Sequence, residues 1–241
     1  MKRISILLSW LVLAGCTADE PTSAKQDPPP KANPGPAKKV EVGKNVFLEI
    51  HGEHRRVLVE TEVCLRQGQL EQFMTRKRTK EHEAIVAADV DAREIHKALL
   101  LASAEPGSPA KFVPKYEPAR GAVIKVFVEY QDEQGKHQRH LAQKWIRNIK
   151  TRKDLEQDWV FAGSLLIPDP LDNTKPPYYA ANDGDVICVS NFDTALLDLP
   201  IMSSKDNDEL FFEANTERIP PLKTHVTVVL EPVPAKAKTK K

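Results

Sequence analysis

Cysteine is scarce in this chain. Its 241 residues hold three, Cys16, Cys64 and Cys188. No two of them form a Cys-x-x-Cys pair, which removes thioredoxin-like redox motifs and zinc ribbons. Net charge is almost lacking as well: 35 Lys and Arg against 34 Asp and Glu leave +1, so no global field draws in nucleic acid. Aromatic residues make up 6% of the chain, and Val, Leu and Ile are left to fill the core. No repeat of about 20–50 residues recurs, which argues against a solenoid or propeller. Nor is there an apolar run that spans a bilayer, for which about 20 residues are needed.

The short apolar run that does exist, Ile4 to Leu13, is the most telling feature of the sequence. Lys2 and Arg3 precede it, and Leu13-Ala14-Gly15-Cys16 closes it. A charged start, a short greasy segment and small residues before a cysteine predict a bacterial lipoprotein signal peptide over residues 1–15. Cys16 would become the acylated N-terminus and hold the chain to a membrane outside the cytoplasm. Cleavage at another small residue would instead release a soluble protein. Thr17 stands after Cys16 where Asp would favour the inner membrane, so the outer membrane is the expected address.

Residues 16–45 read as a tether. Pro21, Pro28, Pro29, Pro30, Pro34 and Pro36 are mixed with Ala, Lys, Asp and Gln, a composition that buries no core and favours polyproline II. At about 3.1 Å per residue such a tether reaches up to about 70 Å. A basic tail over 232–241 is likewise expected to be disordered. Between them, residues 46–231 form one globular domain.

Within that domain, alternating apolar residues predict strands at 46–51, 56–65, 70–75, 84–88, 122–130, 137–146, 158–167, 178–180, 186–190, 209–213 and 225–230. The second and third of these are expected to form a hairpin about Gln67-Gly68-Gln69. One helix is clear, at about 91–103: Asp91 can cap it, Glu94 follows three residues later, and Ile95, Ala98, Leu99 and Ala102 recur at helical spacing. The expected fold is therefore α+β, a single strand-rich domain with mostly antiparallel sheet and one helix.

Candidate chemistry is thin. Arg78 to Glu83 is the densest cluster of functional side chains, but on a strand His82 faces away from Glu81 and Glu83. A metal would need His82 to meet a residue from elsewhere, with His96 the best placed, and no recognised zinc spacing is present. His137 and His140 fall on opposite faces of a strand and read as solvated. Ser164 lacks the G-x-S-x-G elbow, and Cys188 has no histidine in sequence reach. Asp183-Gly184-Asp185 lacks the ordered oxygens of a calcium loop and reads as a turn. Cys64 and Cys188 form either one disulfide or two buried thiols.

Four phrases occur together: Val63-Cys64-Leu65-Arg66 with Leu70-Glu71, Lys80-Glu81-His82-Glu83, Ile187-Cys188-Val189-Ser190-Asn191-Phe192, and Phe212-Glu213-Ala214-Asn215-Thr216-Glu217. With Trp159-Val160-Phe161-Ala162-Gly163-Ser164 they make the region of about 46–231 resemble the YdjY-domain family of bacterial proteins. The resemblance implies a domain of unknown function behind a lipoprotein or secretory leader, and it carries no catalytic assignment. Its characteristic segments fall on Lys80, His82 and Glu83 and on Ser190, Asn191 and Phe192. Relatives often have a cysteine near the position of Thr75, which this chain lacks, and that weakens any shared mechanism needing the thiol.

The sequence thus predicts a lipid-anchored envelope protein that is not an enzyme and binds a small molecule or an envelope protein, through Lys80, His82, Glu83, Ser190 and Asn191. The alternatives are a metal or redox accessory protein using His82 and His96, with a bound transition metal, and a hydrolase of envelope polymer. Otherwise no cofactor is expected, and no nucleic acid.

Overall fold

A computed structural model describes residues 35–203 and 211–234. The predicted signal peptide, Cys16, most of the tether and residues 235–241 of the tail lie outside the described residues. In chain order the strands are β1 Lys38–Gly43, β2 Val46–His51, β3 His54–Val63, β4 Gln69–Leu70, β5 Gln72–Arg76 and β6 Ala84–Ala88. After helix α1, Ala92–Leu101, follow β7 Pro106–Ser108, β8 Arg120–Gly121, β9 Val123–Gln131, β10 His137–Leu141, β11 Ile146–Asn148 and β12 Trp159–Phe161. The chain continues through β13 Leu166–Ile167, β14 Tyr178–Tyr179, β15 Ile187–Cys188, β16 Leu197–Asp198, β17 Phe212–Ala214 and β18 His225–Pro232.

Eight of these strands close on themselves. The order runs β3-β18-β9-β12-β16-β15-β5-β6, and β6 pairs back onto β3 through Glu62↔Ala87 and Val63↔Val86. Two of the pairings, β5–β6 and β15–β16, are parallel. The expected α+β domain with mostly antiparallel sheet is therefore corrected to a closed, mixed eight-stranded barrel, with 42% strand and 9% helix. The reason lies in the connections. Parallel neighbours usually need a crossover of about a dozen residues or more, commonly a helix, whereas here residues 77–83 and 189–196 make the returns with turns alone. The expected hairpin of 56–65 with 70–75 also does not form. β3 pairs with β2, β18 and β6, and β5 pairs with β6 and β15.

Long strands make the architecture possible. One edge of β3 carries β2 on its first half and β6 on its end, while the other edge carries β18. β9 is used the same way, by β12 at its start, β10 at its end and β18 along the opposite edge. The sheet therefore runs beyond the barrel as β1-β2 on one side and β10 on the other. β1 falls inside the segment assigned to the tether, so the ordered chain starts earlier than the expected boundary at 46.

Alternation sets the two faces. Val57, Val59, Val63, Val226, Val228, Leu230, Ile124, Val126 and Val128 point inward and are almost wholly buried. Phe73 packs with Trp145 and Trp159 at ring separations of 6.4 and 5.9 Å. Each buried ring of this size removes about 150–250 Å² from water, set among a core that is otherwise aliphatic. Helix α1 starts at the Asp91 cap, which accepts from Arg93 N–H, and buries Ala92, Ile95, Ala98 and Leu99. On the outer face Arg56 bridges Glu49 and Glu129. Among the described residues no helix is long and apolar enough to cross a membrane.

Candidate functional site

Lys80 to Glu83 do not continue into a strand. They form the turn that returns the chain from β5 to its parallel neighbour β6. The face-by-face argument for Glu81, His82 and Glu83 therefore fails, because a turn does not impose the period of two. Lys80 reaches inward: its Nζ lies 2.8 Å from Asp185 Oδ1 and 4.4 Å from the centroid of the Phe192 ring. Its pKa is set by burial, which lowers it, against the hydrogen bond and charge of Asp185, which raise it, and the net shift is upward.

Asp185 gathers the rest of the cluster. Gln72 Nε2 donates to its Oδ1 at 3.2 Å and Thr194 Oγ1 to its Oδ2 at 2.6 Å. Gly184, at φ 118°, places it. A Cβ there would stand 2.7 Å from both Thr75 Oγ1 and Thr79 Oγ1, so the position needs both the left-handed conformation and the missing side chain. Thr75 is fully buried and donates to the Gly184 carbonyl at 3.0 Å. Thr75 thus lies directly behind the cluster.

Ser190 and Asn191 part company. Ser190 is half-buried, and its backbone N–H donates to Glu71 O at 3.0 Å. Asn191 is buried and committed to structure. Its amide donates to Asp198 Oδ1 and to Leu199 O, both at 3.1 Å, and its Oδ1 accepts from Ser203 N–H at 2.6 Å. Tyr116 Oη lies 3.0 Å from the same oxygen and 2.8 Å from Ile201 O. Asp198 is completely buried, and burial pushes its carboxyl up to about 8, against the Asn191, Leu199 and Phe192 N–H groups that favour the charged form.

Glu83 is the remaining rim acid. Burial, then Glu71 close by, push its carboxyl upward, while Lys80 and His82 pull the other way. His82 is 76% exposed and lies 3.8 Å from Glu83 Oε2. His96 is elsewhere, on α1, with Nδ1 2.7 Å from Tyr179 Oη and its ring against Phe161. His82 and His96 are therefore not brought together. Among the described residues no group of three or more His, Cys, Asp or Glu side chains is placed to hold a metal ion.

The bridge considered between Cys64 and Cys188 is not formed, and both thiols are free. Cys188 is paired to Gln72, Gln72 to Ala84, and Cys64 Sγ contacts the Ala84 carbonyl at 3.1 Å. Two strands thus intervene, and at about 4.8 Å per strand the cysteines are beyond the roughly 7 Å Cα separation that a disulfide tolerates. Burial pushes Cys64 up to about 12 and Cys188 well above its ordinary value, so neither is a ready thiolate.

Sequence reading missed Gln72, Asp185, Thr194, Asp198 and Tyr116. Two of them left a trace, since Gln72 and Asp198 are polar residues set inside apolar runs, before Phe73-Met74 and between Leu197 and Leu199. A cleft of about 1280 Å³ opens in a different place, among His51, His54, Arg55, Glu105, Lys125 and Pro234, and none of the five candidate binding residues lines it.

The model of the YdjY domain matches residues 48–231. No curated protein and no solved structure matches the chain. The matched span takes in the whole barrel and every residue of the Lys80–Asp185 cluster, and on that match the chain belongs to the YdjY domain family.

Proposed function

We propose that this chain is a lipid-anchored envelope protein, held by Cys16 on its Pro-rich tether, whose barrel binds a partner or small ligand without transforming it. The binding face is the rim of Lys80, His82, Glu83, Ser190 and Phe192. One observation carries the reading: Lys80 is held against Phe192 by the buried Asp185, itself fixed by buried Gln72 and half-buried Thr194. A part-exposed cation fixed over an aromatic ring loses little freedom when a partner arrives, and preorganisation of that kind favours binding.

The same geometry speaks against the other readings. Among the described residues no hydrogen bond joins the Ser190 hydroxyl to His82 or Glu83, Cys188 is sealed, and the Asn191 amide is spent on Asp198 and Leu199. A hydrolase would need a nucleophile, a base and oxyanion donors around one point. No observation favours the metal reading over the binding one.

Two experiments test the proposal. Metabolic labelling with an alkynyl palmitate should tag the full chain and fail on Cys16→Ser, with the protein in the envelope fraction; a soluble, untagged protein would defeat the anchor. For the face, a photo-crosslinking amino acid at His82 or Ser190 should give a discrete adduct in cells that is lost with Lys80→Ala. The same group at Gln131, on the exposed end of β9, should give none. Equal labelling from all three positions would defeat the face.

A further inference from the structure

Among the described residues Asp198 is the one buried acid the binding reading leaves unused. It stands on β16 with no exposure at all, on the same side of the sheet as its partner Val160. Val160 packs with Ala119 and Ala162 apart from the main core, so this is the outer wall of the barrel, covered by loops. Three segments fasten there through one amide: Asn191 itself, Tyr116 from the 109–119 loop, and Ser203. Asp198 Oδ1 takes the Asn191 amide and Leu199 N–H, and these with the Phe192 N–H favour the charged form, but burial outweighs all three and Oδ2 has no hydrogen bond among the described residues. The titratable groups facing Asp198 are Asp185, the Cys188 thiol and the Tyr116 phenol, and the cluster's cation, Lys80, is engaged by Asp185. Nothing there neutralises a second negative charge, and an unpaired buried carboxylate is costly.

We propose that Asp198 is a proton-operated latch: protonated, it holds Asn191, and through it Tyr116 and Ser203, against the barrel, and ionised, it releases these segments and uncovers Cys188. The latch stands or falls independently of what the Lys80 face binds. The sign follows from linkage. The closed state keeps a proton to about pH 8, whereas an exposed carboxyl in the open state loses it near its ordinary value. Closure is thus strongest in acid and weakens as pH rises, by up to about tenfold per unit for one proton released. Above about 8 both states are ionised and the weakening stops.

The test is alkylation of the full chain at several pH values, with the Cys188 peptide read by mass spectrometry and its rate divided by that of Cys64 in the same sample. The quotient removes the pH dependence of thiol chemistry itself. It should climb several-fold per unit between pH 5 and 8 and then level, and in Asp198→Asn it should stay flat. A flat quotient in the wild type overturns the latch, whether or not the variant folds. So does an equal pH slope in hydrogen exchange of the β18 amides once the base-catalysed intrinsic rate is divided out, which would assign the opening to global unfolding.

Discussion

Lys80 Nζ lies 2.8 Å from Asp185 Oδ1, and the carboxylate side of this pair is only 6% exposed against 24% for the lysine. The turn after β5 is thereby pinned to the turn before β15, and the pair's asymmetry decides what its loss costs. Removing Lys80 leaves a carboxylate that water barely reaches, held by Gln72 and Thr194 alone. Lys80→Ala is expected to cost about 2–3 kcal/mol, below the roughly 3–5 of a fully buried pair because the lysine keeps some solvent. Adding Asp185→Asn should recover part of the loss, and urea unfolding of the double-mutant cycle reads it.

His96 should set an acid limit on stability. Burial against Phe161 and Tyr179 holds its imidazole below the ordinary 6.5. The unfolded chain therefore takes up a proton more readily than the folded one, so this stability is present above about 6.5 and is lost as pH falls through the lowered value. The melting temperature of the wild type minus that of His96→Gln should fall between pH 7.5 and 5 by circular dichroism, since the opposite contribution of Asp198 is common to both.

Glycines in similar backbone conformations should differ in what they tolerate. At Gly184 an added Cβ meets two threonine hydroxyls at 2.7 Å, whereas at Gly135, φ 75°, nothing lies within 4 Å. Gly135→Ala should cost about 1 kcal/mol, the left-handed penalty alone. Gly184→Ala adds overpacking and should cost about 2–4 kcal/mol in all, as read by urea midpoints.

Free thiols make a prediction of their own. The intact mass should show no loss of two hydrogens between Cys64 and Cys188. Both should alkylate completely in denaturant without prior reduction, and a wild type needing reductant would contradict the strand separation seen here.

Which parts were legible in the sequence follows from how local their causes are. The helix at Ala92–Leu101 and the strand β9 rest on neighbours in the chain, a cap at Asp91 for the one and a run of strand-forming residues for the other, and both could be read. Barrel closure rests on Val63 meeting Val86 and on parallel returns without a helix, which leave no periodic signal. The candidate site divides the same way. Lys80 and Ser190 stood out as polar residues beside apolar runs. Asp185 looked like an ordinary turn former until the fold placed it under Lys80, and Asn191 passed for a binding group until Asp198 and Ser203 claimed its amide.

One consequence follows from the place of β18. It is the last strand among the described residues, yet it lies between β3 and β9 and is hydrogen-bonded to both. The two longest strands therefore have no shared neighbour until residues 225–232 arrive. A chain emerging N-terminus first, from a ribosome or through a translocation pore, holds its first half as unclosed sheet until residues 225–232 are out. Assembly thus waits on residues 225–232, and a chain cut short before His225 forfeits the barrel rather than one edge of it.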